Sequence, residues 1–86
     1  MKSIKYFSAT WCGPCQSYKP IMEQLSSEGH NIEFIDIDSQ EDMARQYNVR
    51  SVPTTVIEEN GNEISRFIGA QPRSKILESI GKWYMK

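Results

Sequence analysis

Cys12 and Cys15 are the only two cysteines in this chain, and Gly13-Pro14 separates them, with Trp11 in front. Paired thiols can ligate a metal, staple a fold or exchange electrons with other disulfides. Structural zinc wants four ligands, usually Cys or His. The one histidine, His30, falls at the far end of the helix that follows, so a metal site would need carboxylates or a second chain. No metal is expected, and His30 reads as a solvated loop residue. A staple across four residues constrains the unfolded chain little. A redox pair needs one exposed, partly ionised thiol, a second thiol within reach, and a closed ring without excessive strain. A Cys-Gly-Pro-Cys stretch that opens a helix offers all three. Cys12 would sit at the helix N-terminus, where free N–H groups and the helix dipole favour a negative sulfur. Cys15 falls one turn inside on the same side. Gly13 permits the tight entry, and Pro14 is pre-set for a first helical turn.

The elements around the pair follow from pattern. Residues 3–8, SIKYFS, read as a strand. Tyr18, Ile21, Met22 and Leu25 recur at helical spacing, with Pro20 expected to kink the helix and Gly29 to stop it. Residues 32–37, IEFIDI, form a second strand, parallel to the first through a right-handed crossover. Ser39 and Asp42 resemble a capping box for a short helix over 40–47, with Met43, Ala44 and Tyr47 facing inward. Strands over 54–58 and 63–68 flank Asn60-Gly61, a strong hairpin signal. Pro72 opens a last helix with Ile76, Leu77, Ile80, Trp83 and Tyr84 as its apolar stripe. The order β-α-β-α-β-β-α predicts an α/β fold, a four-stranded mixed sheet with helices on both faces.

The 86 residues suffice for one small domain, 1–86. Lys and Arg number 10 against 11 Asp and Glu, and they are scattered, so nothing asks for nucleic acid. No apolar run reaches signal-peptide or membrane-spanning length. The expectation is a cytoplasmic monomer, a setting in which a CxxC pair beside a βαβ pattern is a redox signal.

Longer stretches now resemble a known family. WCGPC, Trp11 to Cys15, is similar to the active-site motif of thioredoxins. Pro20 matches the proline of that family's active-site helix. VRSVPTT resembles the segment around its cis-proline, here Pro53, and NGNEISRFIGA its last hairpin, ending at Gly69. The likeness covers nearly the whole chain, on a glutaredoxin-sized frame without the family's N-terminal strand and helix. It implies a thioredoxin-like fold and a protein-disulfide reductase. Cys12 would be the nucleophile and Cys15 the resolving thiol. Trp11, Gly13, Pro14, Pro53 and Tyr6 would support the site. Trp11, Val52, Pro53 and Gly69 would receive clients, with the Val52 backbone free to pair with an extended strand. No bound cofactor is implied. The reductant would be NADPH through a thioredoxin reductase, and the partners disulfide-bearing proteins, ribonucleotide reductase among them. A glutathione-recharged glutaredoxin is the alternative, although Ala70 stands where that family usually has a second glycine. A non-catalytic adaptor is a further alternative. Asp38 matches an aspartate of the thioredoxin family.

Three positions depart from the family. Tyr6, six residues before Cys12, replaces a buried aspartate, and Phe34 replaces a buried lysine near it. Removing both charges together is physically coherent, because a lone buried charge is costly. Ser8 replaces a tryptophan. By strand alternation Ile4, Tyr6 and Ser8 share a side, beneath Cys15 in the family's geometry. A buried tyrosine there can hydrogen-bond the thiol but accepts protons poorly. The acceptor for the Cys15 proton is then water or Asp36.

Overall fold

The computed structural model describes residues 2–81. The elements run β1 (Lys2–Ser8), α1 (Gly13–Ser27), β2 (Ile32–Asp36), α2 (Glu41–Gln46), β3 (Thr54–Glu59), β4 (Asn62–Ile68) and α3 (Arg73–Gly81). The four strands form one sheet in the order β2-β1-β3-β4. β1 pairs in parallel with β2, while β1–β3 and β3–β4 are antiparallel. The expected mixed sheet and element order are therefore present.

Alternation along the central strands builds two cores. On one side Ile4, Tyr6 and Ile57 pack against Tyr18, Met22 and Leu25 of α1 and Ile76 and Ile80 of α3. On the other, Phe7, Ile35 and Val56 meet Met43, Tyr47, Val49 and Val52 around α2. Trp83 and Tyr84, assigned to the α3 stripe, lie outside the described residues.

The turns have identifiable causes. Asn60 and Gly61 both take positive φ, 54° and 87°, the primed turn that matches strand twist. α1 runs unbroken through Pro20 and closes at Glu28. There Gly29 takes φ 102°, and the His30 N–H reaches back to the Leu25 carbonyl. One expectation fails at α2. Its N-cap is Gln40 and no side chain caps it, so Ser39 is not a capping residue. The Asp36 carboxylate instead accepts the N–H of Asp38 at 2.8 Å and of Ser39 at 3.4 Å. That local turn holds the chain out of helix for one residue longer.

Candidate active site

Cys12 is the N-cap of α1, with extended φ −88° and ψ 113°. Its sulfur accepts the backbone N–H of Cys15 at 3.1 Å. One of the free N–H groups of the first turn thus points at Cys12 Sγ and would stabilise a thiolate there. Pro14 lies in that turn and needs no hydrogen-bond partner for its nitrogen. The two cysteines are joined as a disulfide with Cα atoms 5.2 Å apart. Gly13 and Pro14 are exposed between them.

Two further segments converge on this helix end. The Val52 carbonyl oxygen lies 3.8 Å from Cys12 Sγ. The Val52–Pro53 peptide is cis, as the resemblance implied. The Pro53 carbonyl accepts the N–H of Gly69 at 2.8 Å, and Gly69 adopts φ 88°, a conformation that favours glycine. So α1, the loop before β3 and the loop after β4 meet at one surface. Trp11 is 67% exposed beside it, and its indole N–H donates to Asp38 Oδ2 at 2.8 Å. Ile68, whose Cα partner across the ladder is Thr54, is 64% exposed. Sequence reasoning missed it because an apolar residue in a strand reads as core; its place just before Gly69 was the available signal.

Burial differs from expectation at Cys12. It is 5% exposed and Cys15 is 2% exposed. The pair is buried together with Ala9, and Ile37 and Val52 pack against that cluster. The asymmetry between the thiols therefore lies less in exposure than in which sulfur receives the helix N–H.

Tyr6 lies fully buried behind the pair. Its O–H donates to the Cys15 carbonyl oxygen at 3.2 Å rather than to the thiol. The carbonyl is the stronger acceptor. Its ring meets Tyr18 and Phe34 edge-on, with centroids 5.6 and 5.7 Å away. Burial, with a smaller contribution from Tyr18, pushes the Tyr6 hydroxyl up to about 12. Tyr6 and Phe34 therefore make an aromatic contact, buried at Tyr6 and 37% exposed at Phe34, where the resemblance implies two charges. His30 is half-buried in the loop after α1, away from the pair. Among the described residues no cluster of three or more His, Cys, Asp or Glu could hold a metal ion, and no helix is long and apolar enough to cross a membrane.

A thioredoxin family model matches residues 2–82. The chain is 36% identical over 78 residues to a thioredoxin of Chlamydia trachomatis, covering 88% of this chain and 76% of that protein. It is 35% identical over 77 residues to a bifunctional thioredoxin reductase/thioredoxin of Mycobacterium leprae, covering 86% of this chain but 17% of that longer protein. The structure resembles a point mutant of a Halobacterium salinarum thioredoxin with a TM-score of 0.88 at 32% identity, covering 94% of this chain and 73% of that one. A thioredoxin of Fasciola hepatica aligns with a TM-score of 0.86 at 35% identity, covering 94% and 79%.

Proposed function

The chain belongs to the thioredoxin family of thiol–disulfide oxidoreductases, and on that premise we propose that it reduces protein disulfides with Cys12 as nucleophile and Cys15 as resolving thiol. The observation that carries the assignment is the Cys15 N–H directed at Cys12 Sγ. It stabilises negative charge on Cys12, and only a thiolate attacks. Cys12 Sγ bonds to one sulfur of the client disulfide, and the other client sulfur leaves with the electron pair. Cys15 then attacks Cys12 Sγ, closes the intramolecular disulfide and releases the reduced client.

Trp11, Val52, Pro53 and Gly69 form the client surface in this reading, with Gly13 and Pro14 at its centre. Their convergence around the disulfide supports it. An extended client segment lies along the Val52 backbone, as in other β-augmented complexes. The working unit is one domain over 1–86, acting as a cytoplasmic monomer and needing no bound cofactor. Electrons come from NADPH through a thioredoxin reductase, a reading supported by the M. leprae relative, whose name joins the two activities. Ribonucleotide reductase is one client of suitable chemistry.

Insulin reduction with NADPH and thioredoxin reductase, run beside glutathione with glutathione reductase, tests this. Turnover is expected with the first pair. Turnover with glutathione alone would assign the protein to the glutaredoxin alternative, and none with either would leave it an adaptor.

A further inference from the structure

Cys15 must lose a proton before its sulfur can attack, and the sequence leaves water or Asp36 as the acceptor. Tyr6 is not one. Its O–H is already donated to the Cys15 carbonyl oxygen, and burial stabilises its neutral form.

A partly open cleft of about 150 Å³ lies beside Cys15, between the start of α1 and the end of β2. Ser8, Cys15, Gln16, Lys19, Phe34 and Asp36 line it. At roughly 30 Å³ of liquid per molecule, it has room for a few waters. Ser8 is the reason for that room. Ser8 and Asp36 are direct partners across the β1–β2 ladder, on the side that also carries Tyr6 and Phe34. A large side chain at position 8 would fill the cleft. Among the described residues, Asp36 is the only carboxylate in its wall and Lys19 the only cation. The N–H groups of Asp38 and Ser39 hold Asp36 Oδ1 and so fix the carboxylate at the strand end. The titratable groups around the step are thus Asp36 at the end of β2, Lys19 of α1, Tyr6 of β1 and Asp38 in the following turn.

We propose that this cleft is the proton exit of Cys15 and that Asp36 receives the proton through water. The inference rests on the assignment of Cys15 as the resolving thiol. In the mixed disulfide, the Cys15 S–H proton passes to a cleft water, which gives one to the Asp36 carboxylate. The Cys15 sulfur then bonds to Cys12 Sγ. The bond from Cys12 to the client sulfur breaks, and its electron pair leaves on the client thiolate, which takes a proton from solvent. Cys12 and Cys15 end oxidised, the client ends reduced, and Asp36 returns its proton to bulk water. Asp36 is a positioning residue in this scheme, acting on Cys15 through water.

The test separates the two chemical steps. Reduced protein is mixed with a disulfide-bridged peptide probe, and acid-quenched samples are weighed by mass spectrometry. Formation of the Cys12 mixed disulfide reports the first step and its decay the second. In Asp36→Asn, formation keeps its rate while decay slows on the order of a hundredfold, the lower end of a general-base effect. Asparagine retains an oxygen for the Asp38 and Ser39 N–H groups, so the turn survives. Added imidazole speeds decay in Asp36→Asn because it enters the cleft. Ser8→Trp also slows decay, and imidazole does not restore it. An unchanged decay rate in Asp36→Asn, or a slow decay indifferent to imidazole, would overturn the proton exit while leaving the dithiol reading intact. Failure of the parent to form a Cys12 mixed disulfide would overturn that reading, and this inference with it.

Discussion

At the scale of single residues, Tyr6 stands where the resemblance implies a buried aspartate. Its hydroxyl has one job in the structure, a hydrogen bond to the Cys15 carbonyl. A neutral buried bond of this kind contributes about 1 kcal/mol. Tyr6→Phe should therefore lower stability by about that much and keep most disulfide-reductase activity. A hundredfold loss in kcat/KM, roughly 2.7 kcal/mol of barrier, would place the hydroxyl in the chemistry. Its titration gives a second, independent readout. The folded hydroxyl holds its proton up to about 12, against 10.0 for the free group. The folded state then binds more protons than the unfolded chain between those values. Stability from this group is complete below about 10 and is lost as pH rises toward about 12. Urea unfolding across that window should show a shallower decline in Tyr6→Phe than in the parent. Equal declines would mean the burial of Tyr6 is not what holds its proton. Pro14 acts on the pair itself. Pro14→His places a donor or a positive charge near Cys12, which favours the thiolate and makes the protein more oxidising. The reduction potential of the variant, measured against a glutathione buffer, should rise; an unchanged or lower value would contradict this.

The scale of elements separates what patterning can reveal from what it cannot. The hairpin was legible because Asn60-Gly61 has one economical conformation between two strands, and both residues take it. Gly61→Ala should cost about 1 kcal/mol through the left-handed backbone alone, since nothing lies within 4 Å of the added methyl. A cost near zero by chemical denaturation would show that the turn re-forms without glycine. Strands and the stripe of α1 were legible for the same reason, a local period of two or 3.6 residues. The start of α2 was not. Ser39 and Asp42 have the spacing of a capping box, but Asp36 competes for the Ser39 N–H from outside the window. The cleft beside Cys15 was invisible as well, because it depends on which side of a strand Ser8 and Asp36 share with α1. The motif residues of the site could be named from sequence. Their convergence through the Val52 carbonyl and the Gly69 N–H could not, since Val52, Pro53 and Gly69 make those contacts with backbone atoms, which carry no side-chain signature.

At the scale of the whole molecule, a small domain has little stability to spare, and one polar network matters to it. Lys5 lies on the α2 side of the sheet, 3.1 Å from Glu58 and 3.3 Å from Glu33. Glu58 also accepts the Tyr47 O–H at 2.7 Å. Partial burial pulls the Lys5 ammonium down, but hydrogen bonds to Glu58 and Glu33 outweigh it and hold the group above the usual lysine range. Glu58 is 5% exposed, so Lys5→Met leaves a nearly buried carboxylate without its cation. That should cost about 3 kcal/mol, and adding Glu58→Leu should recover much of it. Urea midpoints of the single and double variants check this, and a double variant weaker than Lys5→Met would contradict it. The function proposed for the whole chain needs the two thiols to be unequal, with Cys12 attacking and Cys15 resolving. Covalent capture tests that inequality most directly. Reduced Cys15→Ser and Cys12→Ser proteins are each offered a disulfide-bonded client, and the adducts are mapped by peptide mass. Cys15→Ser should hold the client through Cys12 in a bond that dithiothreitol releases, while Cys12→Ser holds none. Equal capture through Cys15 in Cys12→Ser, or no capture by either protein, would contradict the account.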